Sequence, residues 1–147
     1  GWKGSYHCCL CGKVETTDHI FFNCSLSRFI WCGLRLVFGW DSSPRSWDDL
    51  QGCKLPRMFG VKGHLGLFLF SAIAWSIWKT RNKMAIERIF PNNPIDILYN
   101  AISFMQKWLR LLKQSDQVKL AEPMLKIGSW IKDYAPLASS FTDIVEL

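Results

Sequence analysis

The sequence lacks a hydrophobic run long enough to cross a bilayer. Its longest apolar stretch, residues 65–78 (LGLFLFSAIAWSIW), has fourteen residues, whereas a membrane helix needs about twenty. Lys79, Arg81 and Lys83 follow it at once. We therefore expect no membrane span and predict a buried core helix at this position, with Trp75 and Trp78 packed in the core.

The sequence also shows no internal repeat, and its first residues lack the charged and then apolar pattern of a secretory signal. We therefore expect reduced thiols and an intracellular protein of the nucleus or cytoplasm, in which clustered cysteines indicate a metal site rather than a disulfide framework. Hydrophobic residues make up 49% and aromatic residues 14% of the chain, which excludes compositional disorder and predicts one compact body.

The strongest pattern is C-x2-C-x7-H-x4-C, formed by Cys8, Cys11, His19 and Cys24. Three thiolates and one imidazole are a typical structural donor set for Zn2+, and a Cys-x2-Cys pair wraps one ion in a tight turn. Gly12 suits that turn because glycine tolerates a positive φ. The spacing predicts a zinc site made by these four side chains.

The position of the second ligand pair follows from helix geometry. His19 and Cys24 would lie about 140° apart on an ideal α-helix, so both cannot point from one helical face. We therefore expect His19 in an extended segment and Cys24 at the start of a helix. That helix has an apolar face, because apolar residues recur at helical spacing: Leu26, Phe29, Ile30, Leu34 and Val37.

Alternatives to this ligand set come from neighbouring residues. Cys9 could replace Cys8 as the first ligand. His7 either lies beside the site without binding the metal or substitutes for one of the ligands. The alternative to a metal site is that these cysteines and the histidine are ordinary buried core residues, since free cysteine is commonly buried. Cys32 and Cys53 lie outside the cluster and are predicted to be small apolar fillers.

Two segments carry a family resemblance. CCLCGKVETTDHIFFNCSLSRFIW at residues 8–31 and IAWSIWKTRNKMAIE at residues 73–87 resemble the zinc-binding domain that follows the reverse transcriptase in plant non-LTR, LINE-type retroelements. The second segment is similar to the Trp-x-x-Trp-x-x-Arg-Asn segment of such sequences. The resemblance covers about the first 90 residues and implies the same four zinc ligands.

The resemblance also implies a parent polyprotein, with a polymerase domain before this region and often an RNase H domain after it. The chain contains neither a Tyr-x-Asp-Asp polymerase motif nor a segment resembling the start of RNase H. We therefore expect a non-enzymatic module. A catalytic zinc site is disfavoured because four protein ligands leave no open position.

The net charge of +6 is concentrated in the middle of the chain. Residues 1–53 are neutral, residues 54–113 carry ten basic and two acidic side chains, and residues 114–147 carry three basic and five acidic ones. This distribution indicates phosphate contacts with RNA or DNA, and the sharpest candidate cluster is Lys79, Arg81, Lys83 and Arg88. The alternative is an ordinary solvated end of a helix.

The predicted fold is mainly α, with a small N-terminal zinc knuckle, about three principal helices and a loose C-terminal tail. The expected segments are a zinc-binding module at 1–38, a loop or linker at 39–63, a helical basic region at 64–115 and a tail at 116–147. A short helical turn is expected at 46–50, helices at 64–89 and 95–113, and one short helix at 121–130.

Three functional interpretations follow from the sequence. The first is a zinc-dependent module that assists binding of RNA or DNA. The second is a structural spacer between polymerase and RNase H domains, and the third is a truncated remnant without selected function.

Overall fold

The computed structural model describes the backbone of residues 6–51 and 54–146, and the side chains of residues 6–51 and 54–134. This part of the chain is mainly helical, as the hydrophobic periodicity predicted. The five α-helices are α1 (Ser25–Phe38), α2 (Lys54–Phe59), α3 (His64–Asn82), α4 (Ile95–Leu109) and α5 (Gln114–Glu146). Two π-helical turns, His19–Asn23 and Lys83–Glu87, and a 3-10 turn at Trp47–Leu50 complete the described elements.

Helix α3 forms the centre of the fold and packs against α2, α4 and the first π-helical turn. Apolar side chains surround it on several faces, so it is a core helix as expected. Those buried on it are Leu65, Leu69, Phe70, Ala72, Ile73 and Ile77. No helix within the described residues combines the length and hydropathy needed to cross a bilayer.

Helix α1 joins the N-terminal segment to this core. Trp31 is buried on its inner face and stacks on Phe70 of α3, with ring centroids 5.7 Å apart, and on Phe22, with centroids 5.9 Å apart. The indole Nε1 of Trp31 donates to the carbonyl of Phe21 at 2.7 Å. The helix ends at Gly39, whose φ of 69° gives the left-handed cap that glycine favours. Aromatic packing thus fixes α1 against the turn that precedes it.

Helix α2 lies within the segment predicted to be a loop or linker. Its position depends on a close approach to α3, because a Cβ atom at Gly66 would lie 2.8 Å from the backbone carbon of Leu55. Phe59 anchors its other end in the core. A six-residue helix is too short for hydrophobic periodicity to reveal it.

Helix α5 is much longer than the short helix predicted at 121–130. Leu120, Ile127 and Ile131 are buried on its inner side, and α5 packs against α1 and α4. These contacts maintain the helix through Pro123, which is itself buried. The side chains of residues 135–147, the last 13 residues of the predicted tail, lie outside the described residues.

Candidate metal centre

The first two candidate ligands lie in a tight turn between two short extended segments. An antiparallel bridge pairs His7 with Val14, and the amide of Cys8 donates to the carbonyl of Lys13 at 2.8 Å. Within the loop, the amide of Gly12 donates to the carbonyl of Cys8 at 2.9 Å, and Gly12 has a φ of 72°. The predicted role of Gly12 is confirmed. The bridge closes residues 7–14 into a hairpin that turns Cys8 and Cys11 toward one side.

The second pair of candidate ligands lies at the two ends of a π-helical turn. His19 begins this turn, so the expected extended conformation of His19 is wrong. The amide of Cys24 donates to the carbonyl of His19 at 2.7 Å, which is the i to i+5 bond of a π-helix. This wider turn brings residues five apart close together, which an α-helix does not do. Cys24 directly precedes α1, as predicted.

The four side chains converge on one point. The ligand atoms of Cys8, Cys11, His19 and Cys24 all lie within 4.8 Å of one another. The Sγ atom of Cys24 lies 3.7 Å from Sγ of Cys8 and 3.9 Å from Sγ of Cys11. Two thiolates bound to one tetrahedral zinc at about 2.3 Å would have sulfurs about 3.8 Å apart, whereas a disulfide bond is about 2.0 Å long. These separations suit metal ligation.

The imidazole of His19 supplies an independent indication of fit. Its Nε2 atom is buried and has no hydrogen-bond partner among the described residues. Burial of a polar nitrogen without a partner is unfavourable, and a metal ion would satisfy it. Burial also lowers the pKa of His19; Glu15 acts to raise this pKa by a smaller amount, and Lys13 lowers it slightly further. The imidazole is therefore held in the neutral form that metal binding requires.

The thiols differ in their surroundings. Burial raises the pKa of Cys24 to about 12 in the metal-free protein. At Cys11 burial also acts to raise the pKa, but hydrogen bonds with Ser25 and with the neighbouring thiols lower it overall. The Oγ atom of Ser25 lies 3.4 Å from Sγ of Cys11. Ser25 begins α1, so the positive end of the helix dipole also favours a thiolate here.

The other cysteines lie outside the cluster. Cys8 is buried and Cys9 is exposed, so the geometry favours Cys8 over Cys9 as the first ligand. Cys32 is exposed, which makes its prediction as a core filler wrong. It occupies the outer face of α1, where its Sγ lies 4.0 Å from the hydroxyl of Ser43. Cys53, also predicted to be a filler, lies outside the described residues.

The basic cluster divides into two environments. Lys79, Lys83 and Arg88 are exposed. Arg81 turns toward the hairpin and forms an ion pair with Glu15, in which the Nε and Nη2 atoms donate to one carboxylate oxygen at 3.0 and 2.5 Å. The sequence does not predict this pair, because 66 residues separate its members and no local spacing indicates it.

The two tryptophans of α3 also have different environments. Trp78 is partly buried, and its ring stacks on Phe21 with centroids 6.2 Å apart. The guanidinium carbon of Arg81 lies 5.5 Å from the centroid of Trp78. Trp75 is 45% exposed, so its predicted core position is wrong. Leu69, Ile73 and Ile77, apolar residues near Trp75 in the sequence, are buried on other faces of the helix.

Comparisons with known proteins agree with the geometry of the N-terminal segment. No curated protein and no solved structure matches the chain. The family model described as zinc-binding in reverse transcriptase matches residues 1–31 of the 147-residue chain. This family is a zinc-binding one rather than a polymerase one, and the matched segment contains all four members of the cluster. The N-terminal part of the chain is therefore similar to a zinc-binding domain of reverse transcriptases.

Proposed function

We propose that this protein is a non-catalytic zinc-binding module derived from a retroelement reverse transcriptase, and that it assists binding of RNA or DNA. The observation that carries the zinc assignment is the convergence of Cys8, Cys11, His19 and Cys24 within 4.8 Å. The match of residues 1–31 to a zinc-binding family of reverse transcriptases supports the same assignment.

The proposed role of the metal is structural. Three thiolates and one imidazole fill the four positions that zinc prefers, so no open position is left for a substrate or an activated water. A bound zinc would cross-link the hairpin at residues 7–14 to the start of α1. The nearby carboxylate of Glu15 pairs with Arg81, which further disfavours its use as a general base.

The plant, LINE-type origin is the finer part of the proposal. It rests on the sequence similarity of residues 8–31 and residues 73–87 to such elements. In the structure these two segments contact each other through the Glu15–Arg81 ion pair and the stacked rings of Phe21 and Trp78. Their direct contact gives a physical reason for the two patterns to occur together.

Nucleic-acid contact is proposed for the exposed basic side chains. Lys79 lies in the last turn of α3, Lys83 begins the π-helical turn that follows, and exposed Arg88 comes directly after that turn. Cations that neutralise phosphates produce binding that weakens steeply with salt. Arg81 stabilises the fold through Glu15, so we assign the phosphate contacts to the two lysines and Arg88.

A purely structural spacer is the alternative function. The internal pairing of Arg81 favours this alternative, because it gives one of the four candidate phosphate contacts a structural role. The neutral charge of residues 1–53 favours it as well, because this segment has no net attraction for phosphate. The spacer predicts zinc binding without affinity for RNA or DNA. A remnant without selected function is the third alternative.

The zinc assignment is tested by the metal content of the purified chain. We expect one equivalent of zinc in the wild-type protein and loss of zinc in the Cys11→Ser variant. Cys32→Ser is the matched control, because Cys32 is a free cysteine outside the cluster. A metal-free wild-type protein that keeps its fold would overturn the assignment.

The nucleic-acid assignment is tested with labelled single strands at several salt concentrations. We expect the Lys79→Gln/Lys83→Gln variant to bind more weakly and to show a shallower dependence of affinity on salt. The matched control is Lys119→Gln/Lys132→Gln, which removes the same charge from exposed positions of α5. Absence of binding by the wild-type protein at low salt would favour the structural spacer.

A further inference from the structure

An exposed indole borders a groove on the outer face of α3. Trp75 and Trp78 line this groove together with Lys79, Lys83 and Ile86, and its volume is about 300 Å³. We call it the Trp75 groove. Trp78 is partly covered by Phe21 and Arg81, whereas Trp75 is 45% exposed. A large aromatic surface is thus available to a planar partner at this edge of the helix.

A second cavity, also about 300 Å³ in volume, lies on the other side of the same two lysines. Its walls come from α3, α4 and the segment that joins them, and they include Phe90, Asn92 and Asn100. We call it the α3–α4 cleft. The Lys79 ammonium lies 5.5 Å from the centroid of Phe104, another residue of this cleft. Lys79 and Lys83 therefore form a boundary shared by the groove and the cleft.

We propose that the Trp75 groove, the two shared lysines and the α3–α4 cleft form one path for single-stranded nucleic acid. This inference rests on the proposed nucleic-acid function and names the surface and the form of the ligand. An unpaired base stacks on the exposed face of Trp75, and the phosphates follow Lys79 and Lys83. Stacking of this kind needs bases that are free of a duplex.

The cleft supplies groups that suit base edges. The side-chain amides of Asn92 and Asn100 can donate and accept hydrogen bonds, and the carboxylate of Asp96 can accept from an amino group of a base. Glu87 lines the groove, so each cavity contains one carboxylate beside the shared lysines. The positive charge is thus centred between the two cavities, where the strand crosses from one to the other.

The charge pattern favours a nucleic acid over a protein at this surface. A protein interface typically has few lysines at its centre, whereas Lys79 and Lys83 occupy the middle of this path. Aromatic stacking beside exposed lysines is the combination that general single-strand binders use. RNA and DNA share these features, so both belong in the test.

The test compares variants of Trp75 by fluorescence anisotropy with labelled oligo(U), oligo(dT) and a duplex of about 16 nucleotides per strand, the upper site size of a single-strand binding fold. Trp75→Leu keeps an apolar side chain but removes the ring, and Trp75→Phe keeps a ring. Tyr99→Leu is the matched control, because Tyr99 is also 45% exposed and lies outside the cleft lining. All variants are first checked for zinc content and melting temperature.

We expect Trp75→Leu to weaken single-strand binding roughly tenfold and to leave duplex binding nearly unchanged. Trp75→Phe should recover most of the affinity, and Tyr99→Leu should bind like the wild type. The ratio of affinities for oligo(U) and oligo(dT) then shows which nucleic acid the path prefers.

Several outcomes would overturn the inference. If Lys79→Gln/Lys83→Gln weakens binding and Trp75→Leu does not, the proposed function stands and the stacking path fails. Equal losses for single strands and duplex would also exclude stacking. A wild-type dimer that Trp75→Leu converts to a monomer, without nucleic-acid binding, would assign the groove to a second copy of the chain. Absence of any binding by the wild type would remove the proposed function as well.

Discussion

Glu15 and Arg81 connect the candidate metal centre to the central helix. One carboxylate oxygen of Glu15 accepts hydrogen bonds from Nε and Nη2 of Arg81, at 3.0 and 2.5 Å. The two side chains are 9% and 16% exposed, so water screens their interaction only weakly. Glu15 follows the hairpin and Arg81 lies in the last turn of α3. This ion pair therefore holds the hairpin against the helix that carries Lys79 and Trp75.

We predict that Glu15→Gln lowers the free energy of unfolding by about 2–3 kcal/mol, because it leaves the guanidinium of Arg81 partly buried without its counter-charge. Urea denaturation measures this change. The control is Glu122→Gln, which breaks an exposed pair with Lys126 and should cost at most about 0.5 kcal/mol. Equal losses for the two variants would show that the Glu15–Arg81 pair contributes no more than a surface pair.

Removal of the metal should unfold the N-terminal hairpin before the helical core. The hairpin has few apolar contacts, whereas α1, α3 and α4 bury a continuous core of their own. Hydrogen exchange after chelation should show rapid exchange at the amides of Cys8 and Gly12, with continued protection in α3. Loss of protection throughout α3 at the same rate would show that the metal supports the whole domain.

Zinc affinity should rise with pH across the neutral range. The pKa of Cys24 is raised to about 12, so its thiol is protonated at neutral pH and must release a proton on binding. The pKa of His19 is lowered, so protons compete at this ligand only below its ordinary value of 6.5. Calorimetry in buffers of different ionisation enthalpy should detect the released protons. A pH-independent affinity would contradict thiolate ligation.

His19 and Cys24 together should favour the metal-free fold most between pH 6.5 and 9.0, the ordinary values from which their pKa values are shifted. The raised pKa of Cys24 contributes stability that is present below 9.0 and is lost as pH rises toward 12. The lowered pKa of His19 contributes stability that is present above 6.5 and is lost as pH falls through the value in the folded protein. Thermal melts of the chelated protein across this range test both limits.

Gly66→Ala should destabilise the fold by about 1–3 kcal/mol through overpacking. The new Cβ would lie 2.8 Å from the backbone carbon of Leu55, and backbone yields less easily than the end of a side chain. Gly128→Ala in α5 is the matched control, because nothing lies within 4 Å of its added Cβ. There the better helix propensity of alanine should stabilise by up to about 1 kcal/mol. Thermal melts of both variants measure the difference.

Much of the fold was predictable where the signal is local. Buried positions in α3 and α4 recur at helical spacing, and the start of α1 after Cys24 follows from its apolar face. Hydrophobic spacing in the sequence did not predict the structure where a contact between distant segments determines it. Helix α2 depends on the close approach at Gly66, and α5 depends on burial of Leu120, Ile127 and Ile131. The contact at Gly66 has no counterpart in local spacing. Leu120, Ile127 and Ile131 do recur at helical spacing, but Pro123 interrupts that pattern in the sequence.

The sequence by itself determined the identity and spacing of the four candidate ligands, because a Cys-x2-Cys turn with Gly12 and a later His and Cys are local features. Only the tertiary structure decided how they meet. The π-helical turn brings His19 toward Cys24, burial distinguishes Cys8 from Cys9, and the core leaves Trp75 outside while Glu15 engages Arg81. Residue types determine which chemistry is available, whereas packing of distant segments determines which side chains remain exposed to use it.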